Sequence, residues 1–150
     1  MERDDVVETL NDLIENCKDG EYGFRTCAEH AKAANLKSAF TQRAGDCRSA
    51  AEELQTLVTR FGGTPDKTGT VSGALHRGWL AVRGAVALDD DQAMLNECER
   101  GEDIAINRYR KALEEDLPPD VEQVVRRQYE GARRNHDQIK ALRDSHKATA

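Results

Sequence analysis

The chain has 150 residues, 38% of them apolar and 33% charged, and its 22 Lys and Arg against 28 Asp and Glu leave a net charge of −6. That is one domain's length, enough to bury a core, while the acid excess excludes the basic face a nucleic-acid or anionic-membrane binder needs. No apolar run reaches the ~18 residues of a membrane span, and the polar opening Met1-Glu2-Arg3-Asp4-Asp5 lacks the apolar stretch of a secretory signal, so the expectation is a soluble cytoplasmic protein.

The first segment, Arg3 to Ala34, carries Val6, Leu10, Leu13, Cys17, Phe24, Ala28 and Ala31 at helix spacing rather than strand alternation. Leu36 to Phe61 repeats the pattern with Phe40, Ala44, Cys47, Ala51, Leu54, Val58 and Phe61. Gly62-Gly63-Thr64-Pro65 ends it, because glycine takes the left-handed cap and proline cannot continue a helix. Ser72 to Leu88 reads as a short helix with Leu75, Trp79, Val82 and Val86 on one face. Asp90 to Leu117 starts behind Asp89-Asp90-Asp91, which suits both the N-cap and the helix dipole. It carries Met94, Cys98, Gly101, Ala105, Tyr109 and Ala112 and stops at Pro118-Pro119. The last segment, Asp120 to about Asp144, carries Val121, Val124, Gln128, Ala132, Asn135, Ile139 and Leu142, and Ser145 to Ala150 reads as a frayed tail.

Four helices of roughly 25 residues, each about 37 Å long, make an all-α four-helix bundle over residues 1–144 as a single domain. The first two join near Ala34-Asn35 and the last two at the double proline, so each pair is an antiparallel hairpin. Between the hairpins run about 27 residues, Gly62 to Leu88, longer than the usual bundle connection. One long crossover between two hairpins is the connection of ferritin-like bundles, and the short extra helix gives it the length to return along the bundle.

Three strings carry a family likeness: Lys18-Asp19-Gly20, His76-Arg77-Gly78-Trp79, and Glu97-Cys98-Glu99-Arg100-Gly101-Glu102-Asp103. With them the chain, from about Asp5 to Arg143, resembles a bacterial ferritin-like family of unknown function. The resemblance implies a cytoplasmic ferritin-like bundle that self-associates as a homodimer or other homo-oligomer. It brings no established reaction; by family analogy the expectation is a link to stress adaptation, and, with the metal motifs missing, action without catalysis or cofactor, through its own copies or a protein partner.

Metal centres in such bundles take a Glu from each of two helices and Glu-x-x-His from each of the other two. The chain has no Glu-x-x-His, which sets it apart from oxidases, ferroxidases and iron stores. Its second helix offers Arg43, Asp46 and Glu53 without a histidine, and Glu130 and His136, six residues apart, point in different directions. Glu99 and Glu102 share the i, i+3 spacing. Counting rise along each helix puts Glu21, Asp46, Glu102 and His136 within about 6 Å of mid-height, with Arg43 just above. Three carboxylates and an imidazole suit a divalent cation, which gives the alternative function, an atypical metal-binding or redox protein. The same residues also read as a polar core in which Arg43 pairs with Glu21 or Glu102, since an unpaired buried charge is costly.

Gly20, Gly45, Gly101 and Gly131 stand near the same level, one per helix, and each costs about 1 kcal/mol relative to Ala. Close helix packing and a pocket are the two readings. The cysteines Cys17, Cys27, Cys47 and Cys98 lack CxxC or paired Cys/His spacing, so reduced thiols are expected. Cys17 and Cys47, at mid-height on neighbouring helices, are expected to face each other, either as small core hydrophobes or as a thiol sensor. Cys27 lies off the stripe and is the expected exposed thiol. Trp79 and His76 read as a staple for the crossover helix or as a partner contact, and His30 and His146 as surface residues. Phosphate loops, nucleotide fingerprints and a Ser-His-Asp order are missing.

Overall fold

The apolar stripes form four helices in the computed structural model, which describes residues 2–65 and 90–149. They are α1 (Arg3–His30), α2 (Ala34–Arg60), α3 (Asp91–Leu113) and α4 (Pro119–Thr149), of 28, 27, 23 and 31 residues. The expected crossover helix over Ser72 to Leu88, with His76 and Trp79, lies outside the described residues.

Helix ends differ from the stripe boundaries for reasons that reach across the fold. α1 stops at His30 because the next backbone groups bond elsewhere: the Lys32 and Ala33 N–H groups donate to the two carboxylate oxygens of Asp91 at 2.9 and 3.1 Å. Asp90 is the N-cap of α3 and accepts from the N–H groups of Gln92 and Ala93. Neighbouring acids therefore divide two tasks, Asp90 capping its own helix and the buried Asp91 tying down the α1–α2 turn. α2 ends in a Schellman motif: Gly62 takes φ 77°, its N–H donates to Thr59 O and that of Gly63 to Val58 O. α3 ends at Leu113 as Glu114 and Glu115 tighten onto Lys111 and Ala112, and Pro118 then holds Leu117 out of the helical region. α4 opens at Pro119, the proline-tolerant first position. It runs on to Thr149 rather than fraying after Asp144, and His146 Nδ1 lies 2.8 Å from Gln92 Oε1.

Side-by-side neighbours are antiparallel. α1 lies along α2, α3 along α4, and α1 against α3, whereas α2 and α4 are the loosest of the four side-by-side pairs. At one end Val6 and Leu10 of α1 meet Leu54 and Val58 of α2, Tyr109 and Ala112 of α3, and Val121 and Val125 of α4. At the other end Phe24 and Cys27 meet Phe40, Met94, Leu95, Cys98 and Ile139, with the Phe24 and Phe40 rings 6.3 Å apart. Among the described residues these are two apolar clusters, not one. On α3 neither includes a residue between Cys98 and Tyr109, and the buried Glu102 stands in that gap. On α1 the gap runs from Cys17 to Phe24 and holds Asp19 and Gly20.

The mid-height glycines separate accordingly. A Cβ on Gly20 would stand 2.8 Å from Cys47 Sγ, whereas one on the exposed Gly45 would meet nothing within 4 Å. Close approach explains the first, and the second is only a weak helix former. Gly45→Ala is expected to raise stability by up to about 1 kcal/mol. Gly20→Ala is expected to lower it by about 1–3 kcal/mol, the cost of overpacking. Urea unfolding followed by helical circular dichroism reads both; a stabilised Gly20→Ala would contradict the close packing of α1 on α2.

Candidate functional site

Where the two clusters part, a cavity of about 650 Å³ opens, within the range of small-ligand pockets. All four helices line it. Cys17, Gly20 and Phe24 of α1 and Gly101, Glu102, Ala105 and Tyr109 of α3 contribute on one side; apart from Ala105 these are all buried. Asp46, Ser49 and Glu53 of α2 and Arg127, Arg134 and Asn135 of α4 contribute on the other, and all are at least partly exposed. The cleft therefore has its floor on α1 and α3 and its mouth between α2 and α4, the pair that packs least. Gly101 and Gly131 line it as well as Gly20. Pocket and close packing, the two readings of the glycines, thus both apply at this level.

Glu102 is the acid of the floor, 7% exposed. Burial pushes its carboxyl up to about 8; Arg43 pulls the other way, while Asp103 and Glu99 add to the rise. Its Oε1 has no hydrogen-bond partner among the described residues. Arg43, the guanidinium that acts on it, pairs with Asp46 at 2.7 Å and donates through Nη1 to Asn135 Oδ1 at 2.5 Å and Gln138 Oε1 at 2.7 Å. The expected pairing of Arg43 with Glu21 or Glu102 across the core is therefore corrected: its carboxylate partner is on its own helix, one turn away, its Nη1 goes to two amides of α4, and its buried Nε has no hydrogen-bond partner among the described residues.

A chain of hydrogen bonds runs from floor to mouth. Cys17 Sγ lies 3.4 Å from the Tyr109 hydroxyl, which donates to Gln128 Oε1 at 2.9 Å. Gln128 Nε2 donates to Glu53 Oε1 at 2.7 Å and Ala50 O at 3.3 Å, and Glu53 pairs with Arg127 at the mouth. Burial pushes the Cys17 thiol up to about 11 and that of Cys47 well above its ordinary value. Both thiols are thus protonated at neutral pH. This network was missed in the sequence, although Tyr109 and Gln128 stand out there as polar groups on apolar stripes.

The four metal candidates are not brought together. Asp46 and Glu102 share the cleft. Glu21 turns away from it and pairs with Arg25 at 2.5 Å, in a surface groove with Lys18 and Tyr22. His136 stands outside the cleft at the seam between α4 and α3, where its Nε2 lies 2.7 Å from Asp103 and 3.7 Å from Glu99. One ligand atom each from Glu99, Asp103 and His136 fall within 4.8 Å of one another. The signal for that group was the i, i+4 spacing of Glu99 and Asp103.

The thiols need a second correction. Cys27 is fully buried, not exposed, and its Sγ lies 3.6 Å from that of Cys98. α1 packs on both α2 and α3, so its buried arc is wider than a single stripe. Cys17 and Cys47 both reach the cleft, but the thiol contact among the described residues is Cys27 with Cys98.

A family model described as "Domain of unknown function (DUF2383)" matches residues 5–115. None of the curated proteins matches the chain. Among solved structures, a mutant of Dps1 from Mycobacterium smegmatis is similar at TM-score 0.74, with 17% identity over 94% of this chain and 96% of that one. The likeness gives the fold, a ferritin-like four-helix bundle.

The floor acid makes stability depend on pH. Between an ordinary glutamate's 4.5 and about 8 the folded chain holds a proton on Glu102 that the unfolded chain has lost. Stability from this group is therefore full below 4.5 and lost as pH rises through 8. Glu102→Gln, which keeps shape without the charge, is expected to remove that fall and to exceed the parent by at least about 1 kcal/mol at pH 8.5. Urea unfolding across a pH series measures it; an unchanged slope in the variant would contradict the buried, neutral acid.

Proposed function

The chain belongs to the DUF2383 family, and we propose that it works by binding at the mid-bundle cleft, without catalysis at a paired metal centre. The observation that carries this reading is the buried Glu102, uncharged at neutral pH and without a hydrogen-bond partner among the described residues, on the floor of a cavity of about 650 Å³. Buried polar groups are ordinarily satisfied, and one that faces an open cavity is available to a ligand.

The donor set does not fit the di-iron centre that a ferritin-like fold brings to mind. Such a centre needs carboxylates from all four helices and two histidines. Here Asp46 is tied to Arg43, Glu53 to Gln128 and Arg127, and His136 to Asp103 outside the cleft. The expected result of ferrous loading is less than about 0.1 iron per chain retained after desalting and no accelerated ferrous oxidation. Two irons per chain, lost in Glu102→Gln, would overturn the reading. Self-association belongs to the same proposal, and sedimentation equilibrium at micromolar concentration tests it; a monomer alone would remove it.

One observation favours a second reading, a divalent cation held by Glu99, Asp103 and His136, whose ligand atoms already lie close together. Glu99 is also engaged by Arg143, so a cation there competes with a guanidinium. Zinc titration by calorimetry is expected to show one site, weakened at least tenfold in His136→Ala, on the order of the loss of one ligand. Identical isotherms for the two proteins would exclude it.

A further inference from the structure

Cys27 and Cys98 lie apart from the cleft, in the apolar cluster at the end of the bundle where α1 stops and α3 begins. Both are fully buried. Their Sγ atoms are 3.6 Å apart across the α1–α3 contact, although the residues stand 71 positions apart in the chain. The register of the two helices is held at that end. Asp91, at the start of α3, accepts from the backbone N–H groups of Lys32 and Ala33, just past the end of α1. Packing asks for a small apolar group at each position; it does not ask that both be sulfur. The other two thiols are placed differently: Cys17 Sγ lies against the Tyr109 hydroxyl at 3.4 Å, and Cys47 Sγ occupies the space beside Gly20.

We propose that Cys27 and Cys98 are a dithiol that hydrogen peroxide converts to an intrachain disulfide, joining the two hairpins through α1 and α3. The peroxide accepts the two electrons. One thiol gives up its proton and its sulfur attacks a peroxide oxygen; the O–O bond breaks, leaving a sulfenic acid and one water. The second thiol gives up its proton and attacks that sulfur; the S–O bond breaks and a second water leaves. The sulfurs close from 3.6 Å to a bond of about 2.05 Å. The product is uncharged and suits its apolar neighbours Phe40, Met94, Leu95 and Ile139. Burial pushes the Cys98 thiol well above its ordinary value, and thiolate is the reacting form. Oxidation of the folded chain is therefore slow and follows opening of the α1–α3 contact. Once formed, the cross-link closes a long loop in the unfolded chain, so stability rises.

Prolonged incubation of the reduced full chain with hydrogen peroxide tests the assignment, read by non-reducing peptide mapping in a mass spectrometer and by urea unfolding with and without dithiothreitol. The expected product has lost two hydrogens from the intact mass and yields one peptide pair, linking Cys27 with Cys98. Its urea midpoint is expected to rise by roughly 1 M and to return to the untreated value on reduction. The double variant Cys17→Ala, Cys47→Ala is expected to form the same link, and Cys98→Ala to lose the peroxide-dependent rise. The map of the parent decides the matter even where a variant folds poorly. Free thiols at Cys27 and Cys98 after the incubation would contradict the assignment. So would sulfinic acid at either position in place of the link, or a disulfide from either one to Cys17 or Cys47.

Discussion

The rest of the structure depends on the break in the apolar core. Val6, Leu54 and Val121 close one end of the bundle, and Phe24, Phe40 and Met94 the other. Each end is a four-helix cluster able to hold the hairpins together. The middle level is thereby released from holding the fold and carries groups a continuous core would reject. Gly20 lets α1 come onto Cys47 of α2, while α2 and α4 stay apart. The cleft is what unequal approach leaves behind, tight on one pair and open on the opposite one.

Charges in that layer are arranged so that pairing is nearly complete at the rim and incomplete at the floor. Arg43 and Asp46 pair one turn apart on α2, and Glu53 holds both Arg127 and Gln128. At Glu102 burial outweighs the pull of Arg43, and Asp103 and Glu99 of its own helix add to the rise. A buried carboxylate without a partner would be costly, so the group takes a proton instead. The consequence is a floor whose carboxyl group is uncharged at neutral pH. Ferritin-like bundles share a frame and not a chemistry, and in this chain the frame surrounds a carboxyl group, two thiols and a phenol rather than a ring of ionised ligands.

Much of the fold was legible because helical rise is fixed by the backbone. The stripes located all four helices, and counting residues put Asp46 and Glu102 at one level, where they line one cleft. Angular position around each helix is not fixed in that way, because it depends on which neighbours a helix has and how they cross. Glu21 and His136 have the right height but face a surface groove and the α3–α4 seam. Cys27 failed for the same reason: a single stripe describes a helix with one neighbour, and α1 has two. The end of α1 was not legible either, because Asp91, 59 residues away from Lys32, decides it.

The most direct measurement is the titration of Glu102 itself, followed by the carboxyl carbon resonance in labelled protein and assigned by Glu102→Gln. A neutral floor acid predicts a midpoint near 8, with the protonated shift still present at pH 7. A midpoint near the ordinary 4.5 would mean a charged, solvated carboxylate, and would contradict the closed polar layer on which the binding site depends.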